Sequence, residues 1–158
     1  MTVAAVAAVA ALALLAAGAP ADRAAAATND RIVTDAVSGL AIGGYDPVAY
    51  FTEARAVAGL PSLERGYAGA IWRFRNVGNR DAFARDPDVY MPHYGGYDPV
   101  AVARGASVPG HPQVWLVVGA RLYFFHDAAA RAAFAADPAY YAAAAEARWP
   151  KVREQLAR

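Results

Sequence analysis

Two aspartates and three histidines carry most of the chemistry this chain could do. Asp46 and Asp98 occupy the same place in one hexapeptide, Gly-Tyr-Asp-Pro-Val-Ala, found at residues 44–49 and again at 96–101. Carboxylates repeated in this way could face each other across two related halves and serve a hard cation or a general base. The local alternative is plainer: Asp before Pro is a preferred helix N-cap, and Pro suits the first helical position because its missing N–H would find no partner there. Read as caps, both should lose about 1 kcal/mol on replacement by alanine, equally in the two halves.

His93, His111 and His126 are the only imidazoles. No two share the close spacing of a helical or strand metal pair, so a site made of His93, Asp98 and His126 would require the fold to gather them. Two imidazoles and a carboxylate on loops would hold copper or zinc weakly, in the micromolar range at best. The alternative is that all three histidines are surface or loop residues. The chain has no cysteine, which excludes disulfides, thiolate nucleophiles, thiolate metal ligation and thiol redox chemistry. It also has no Gly-x-Ser-x-Gly elbow, phosphate loop, His-Glu-x-x-His or dinucleotide fingerprint, so the expectation is a protein that is not an enzyme. A net charge of +1, with the cations scattered rather than striped, gives no footprint for nucleic acid.

The elements that must position these residues come in pairs. Tyr45 and Tyr97 are 52 residues apart, while Phe74 and Phe125, Phe83 and Phe134, Pro87 and Pro138, and Tyr90 and Tyr141 are each 51 apart. One deletion reconciles the two series, so the chain reads as an internal duplication over about residues 44–95 and 96–148. The expected fold class is α+β, a single compact domain of two pseudo-repeated halves. Each half has a capped short helix, a β-hairpin and a helix. The capped helices are predicted at 47–51 and 99–104, the second ended by Gly105. The first hairpin is predicted over 65–74 around Ala68-Gly69; the second comprises 114–118 and 121–125 around Gly119-Ala120, and its denser apolar content implies deeper burial. Asn76 and Asp127 cap the next helices, which stop at Asp86-Pro87 and Asp137-Pro138. A last helix is predicted over 138–148, broken by Trp149-Pro150. Tyr45, Tyr97, Trp72, Phe74, Tyr123, Phe125, Phe83 and Phe134 recur at matching places, which favours core packing over a ligand pocket.

Residues 2–19 are apolar, and Ala19-Pro20-Ala21 or Ala25-Ala26-Ala27 supplies small residues suited to a signal peptidase. The expectation is a signal peptide over residues 1–27, cleaved after Ala21 or Ala27, leaving the folded domain within 28–158 as a periplasmic or secreted protein. Membrane contact would be confined to that segment during export. No Lys or Arg precedes the apolar run; a membrane anchor is the alternative, for which the run is short.

Several motifs in order carry a family resemblance: Gly-Tyr-Asp-Pro-Val-Ala-Tyr-Phe at 44–51, Gly69-x-x-Trp72-x-Phe74, Asn79-Arg80-Asp81-Ala82-Phe83, Asp86-Pro87, Tyr90-Met91-Pro92, Tyr94-Gly95-Gly96-Tyr97 and Trp149-Pro150. Over residues 32–152 the chain resembles the YHS-domain proteins exported by proteobacteria. Tyr45, Asp46, Pro47, Trp72, Phe74, Tyr94, Gly95, Gly96, Tyr97 and Asp98 form the shared structural motif. In the wider superfamily an Asp-Pro-Val-Cys turn and a Phe-Cys-x-x-x-Cys strand end provide thiolates for a soft metal. Here those places fall at Ala49, Arg75 and Asn79. The exported branch usually has a cysteine or selenocysteine directly after Tyr-Gly-Gly-Tyr, where this chain has Asp98. A cysteine at a helix start would be a reactive thiolate; aspartate there is stabilised as an anion but cannot be oxidised. The resemblance therefore implies a non-enzymatic binding or accessory module, related to metal-handling domains, with a degenerate metal site and no redox role. The alternative is a weak divalent-metal or small-ligand binder through His93, Asp98 and His126.

Overall fold

The offsets of 51 and 52 residues carry through to the backbone, because each half is built from the same local signals. The computed structural model describes residues 31–156. The expected signal segment and its cleavage points lie outside the described residues, and among those described no helix is long and apolar enough to cross a membrane.

In the first half a tight turn, Ile42–Gly44, leads into α1 (Ala49–Thr52), then β1 (Leu60–Tyr67), β2 (Ala70–Phe74), α2 (Val77–Arg85) and α3 (Pro87–Tyr90). The second half follows with a turn at His93–Gly96, α4 (Pro99–Ala103), β3 (His111–Val118), β4 (Arg121–Phe125), α5 (Ala128–Ala136) and α6 (Pro138–Leu156). This is the α+β class expected. Each hairpin is antiparallel, from Tyr67↔Ala70 to Leu60↔Phe74 and from Val118↔Arg121 to His111↔Phe125, with a register shift after Leu60 and after His111. Both hairpin turns have positive φ at both central residues, 51° and 80° at Ala68 and Gly69, 58° and 58° at Gly119 and Ala120. That conformation matches the twist of the flanking strands.

Asn76 and Asp127 cap α2 and α5 as expected, each accepting at 2.8 Å from the third following N–H, those of Asn79 and Ala130. Both helices stop at an Asp-Pro step with nearly identical backbone, φ −148° in both and ψ 76° at Asp86 and 75° at Asp137. The residue before proline is pushed out of the α region, and proline then opens the next helix.

Several boundaries differ from the sequence expectation. In the first half Pro47 and Val48 form a turn, so the helix starts at Ala49 rather than at 47. Both hairpins begin several residues before 65 and 114, beyond the register shifts. The largest difference is α6, which does not break at Trp149-Pro150 but continues to Leu156. Interior proline costs about 3 kcal/mol, and here the apolar stripe offsets it. Ala145, Trp149, Val152 and Leu156 recur every three or four residues, Ala145 and Val152 are buried, and the helix lies on α4.

The two halves meet along β4. Its four residues Leu122 to Phe125 are all buried, and they alternate between two cores. Leu122 and Phe124 join Trp72, Phe74 and Phe83 of the first half, whereas Tyr123 and Phe125 join Tyr97, Val102 and Phe134 of the second. In β2 only Ala70, Trp72 and Phe74 are buried, while Ile71 and Arg73 face outward. The deeper burial expected of the second hairpin is thus found in β4, which both halves pack against.

Candidate functional site

Three stretches of the first half converge on the carboxylate of Asp46, which is wholly buried. Oδ1 accepts from the backbone N–H of Val48 at 2.9 Å and of Ala49 at 3.3 Å, so it still serves the donors at the start of α1, although Val48 rather than Asp46 holds the N-cap place that the sequence assigns to the aspartate. Oδ2 looks the other way. It accepts from the backbone N–H of Arg75, at the end of β2, at 2.8 Å, and from the side-chain amide of Asn79 in α2 at 2.7 Å. Two oxygens with about four lone-pair sites therefore receive four donors. The carboxylate caps one helix and also ties it to the strand end and the next helix.

Asp98 repeats the arrangement, 2% exposed. Its Oδ1 accepts from Val100 N at 2.8 Å and Ala101 N at 3.3 Å, and its Oδ2 accepts from His126 N at 2.9 Å. The position matching Asn79 is Ala130, which has no amide to offer, so Oδ2 here takes one donor instead of two. Each carboxylate is turned to the backbone of its own half rather than toward the other.

The places where the resemblance sets thiolates come together in space. Ala49, Arg75 and Asn79 each donate to Asp46. Their counterparts Ala101 and His126 each donate to Asp98. The residues present do not fit a soft metal: Ala49 has no ligand atom in its side chain, Arg75 carries a cation, and the Asn79 amide and both Asp46 oxygens are engaged.

The histidines lie apart from this arrangement. His126 reaches Asp98 only through its backbone; its ring is exposed, with Nδ1 3.4 Å from the Pro109 carbonyl. His111 Nδ1 accepts from the backbone N–H of Gln113 at 3.2 Å. His93 sits among the rings of Tyr94 and Tyr123, with Nε2 3.0 Å from Arg121 Nη1 and 3.5 Å from Glu146 Oε2. Burial and the facing Arg121 guanidinium lower its pKa from 6.5, against an opposing pull from Glu146. A neutral ring that accepts from Arg121 through Nε2 satisfies both the distance and the direction, so at neutral pH the Glu146 contact is not an ion pair. The fold does not bring His93, Asp98 and His126 into one set, and among the described residues no three His, Asp or Glu side chains gather as metal ligands.

The Tyr94-Gly95-Gly96-Tyr97 motif has a structural cause. Gly95 has φ +63°, and a Cβ there would lie 1.8 Å from the carbonyl oxygen of Arg31. The lead-in chain passes directly over it, held by Val33 N–H donating to the Gly95 carbonyl at 2.8 Å. Tyr94 donates from its hydroxyl to the Ala142 carbonyl of α6 at 3.2 Å, and burial raises its pKa. Sequence reasoning missed two contacts that join the halves: Tyr50 donates to the Pro112 carbonyl at 2.8 Å, and Gln113 donates from Nε2 to the Tyr45 hydroxyl at 2.9 Å. It also missed Glu146, whose signal is that it is the single acid in the alanine-rich stretch 139–147. Compared with protein-family models, with curated proteins and with solved structures, the chain matches none.

Proposed function

We propose that this chain is an exported, non-enzymatic YHS-like module in which the metal-handling places have been converted into a structural tie, leaving a binding or accessory role. One observation carries the reading. Ala49, Arg75 and Asn79 are 26 and 4 residues apart in sequence yet all three donate to one buried carboxylate. Their meeting at one point is what a former ligand set would require, and it supports the reading. With side chains that cannot ligate a soft metal at that point, the cluster serves stability instead.

The reading is tested by restoring the thiolates. Wild-type protein titrated with copper(II) or zinc by calorimetry should bind no tighter than about micromolar, near −8 kcal/mol. The triple variant Ala49→Cys, Arg75→Cys, Asn79→Cys should bind zinc at least about a hundredfold more tightly, since thiolates dominate soft-metal affinity. A folded triple variant with unchanged zinc affinity would show that these places are not a former metal site. A nanomolar wild-type site lost on His93→Ala or His126→Ala would favour the alternative through His93, Asp98 and His126.

A further inference from the structure

A cavity of about 280 Å³ opens on the seam between the halves, away from the Asp46 and Asp98 ties. Its apolar wall includes Ile32, Met91, Pro92 and the indole of Trp149, and two guanidiniums, Arg31 and Arg153, stand over it. Neither the Arg31 nor the Arg153 guanidinium has an ion-pair or hydrogen-bond partner among the described residues. Among the described residues every buried side-chain polar atom is satisfied, so the indole N–H of Trp149, which has no partner there, reaches solvent.

The walls are fixed before any guest arrives. Trp149 and Arg153 are one turn apart on α6 and so share a face. The Trp149 ring is held between Tyr94 and Tyr97, with centroids 5.5 and 6.1 Å away. Arg31 and Ile32 are pinned by the close passage of this chain over Gly95. An apolar concavity with a few placed polar groups is the usual form of a small-molecule site, and this one falls just below the roughly 300–1,000 Å³ that drug-sized ligands occupy. Two planar guanidiniums without carboxylates match a guest carboxylate, which can accept two parallel N–H bonds from one arginine.

We infer that this seam cavity binds a small organic carboxylate with a flat apolar body, its ring against Trp149 and its charge between Arg31 and Arg153. A second cavity of about 410 Å³ supplies a built-in comparison. It is lined by the cations Arg104, Arg148 and Lys151 but has no aromatic wall. A guest held by charge alone should prefer that cluster.

Calorimetry on the full chain with phenylacetate, its neutral analogue phenylacetamide and inorganic phosphate separates these cases. Phenylacetate should bind saturably and quench tryptophan fluorescence, while phenylacetamide binds at least about tenfold more weakly because it loses the charge-assisted pair. Arg31→Gln and Arg153→Gln should each weaken phenylacetate by about tenfold or more, and Arg148→Gln should leave it unchanged. Both seam arginines are exposed, so these variants should keep the wild-type circular dichroism and melting temperature. The inference is overturned if phenylacetate does not saturate at millimolar concentration, if acid and amide bind alike, or if Arg148→Gln removes binding that Arg153→Gln leaves intact. Phosphate binding equal to phenylacetate at the seam would also overturn it, since the apolar wall would then contribute nothing.

Discussion

Replacing Asp46 by alanine should cost about three times what a simple helix cap is worth. The cap portion, the bonds from Val48 and Ala49, is worth about 1 kcal/mol. The Arg75 N–H then loses a bond to a charged acceptor, worth about 1.5–3 kcal/mol. The Asn79 amide can turn toward water and adds little. The sum is about 3 kcal/mol, or roughly 6–12 °C in melting temperature for a domain of this size. Asp46→Asn separates the parts. The side-chain oxygen can keep the cap, but the new amide would point its N–H at that of Arg75, so about 2 kcal/mol should still be lost. Asp98→Ala has the same backbone donors, but its carboxylate lacks an equivalent of Asn79, so it should cost the same or slightly less. Urea unfolding of the three variants, monitored by circular dichroism with slopes compared, measures each cost. Losses near 1 kcal/mol for Asp46→Ala would return both aspartates to plain caps. A stabilising Asp46→Ala would instead mean that the carboxylate is held in strain for function.

Gly95→Ala should lose at least about 3 kcal/mol, combining positive-φ strain with the break in the Val33 to Gly95 bond; Gly39→Ala, where φ is +68° but nothing lies within 4 Å, should lose only about 1–2. Equal melting temperatures for the two would show that the lead-in chain does not press on Gly95. For His93 the folded pKa lies below 6.5, so the unfolded chain binds the proton more readily. Its contribution is complete above that value and is lost as pH falls through the lowered folded pKa. Unfolding free energies measured at several pH values below about 6.5 should fall less steeply in His93→Gln than in wild type; the same slope in both would mean that the ring is as free in the fold as in the unfolded chain.

Much of the fold was legible because it depends on local rules that act over a few residues. Asp-Pro steps end α2 and α5, Asn76 and Asp127 cap them, and the Ala-Gly and Gly-Ala pairs turn the hairpins, all as the sequence predicts. What failed depends on distance. Pro150 is a helix breaker by propensity, and only the stripe from Ala145 to Leu156 lying on α4 carries the helix through it. The cap role of Asp46 was readable from Asp46-Pro47, but Oδ2 bonding to Arg75 and Asn79 spans 29 and 33 residues, which no local pattern encodes. The alternative of a set made by His93, Asp98 and His126 is equally a long-range matter that no local pattern encodes; among the described residues no three His, Asp or Glu side chains gather as metal ligands.

The duplication explains where new chemistry can arise. Within the repeat, Asp46 and Asp98 hold matching backbone donors and Asp86 and Asp137 hold matching backbone geometry, so a change at one disturbs a part that the half needs in order to fold. The one clear divergence at the ties, Asn79 against Ala130, removes a donor and adds nothing. Arg31, Trp149 and Arg153 lie outside residues 44–148 and have no counterpart in the other half. They meet where the lead-in chain and the end of α6 close over the seam, a surface that exists only because two halves share β4. Residues there are free of the repeat's constraints yet rest on its rigid walls. That combination is what a preorganised binding site requires.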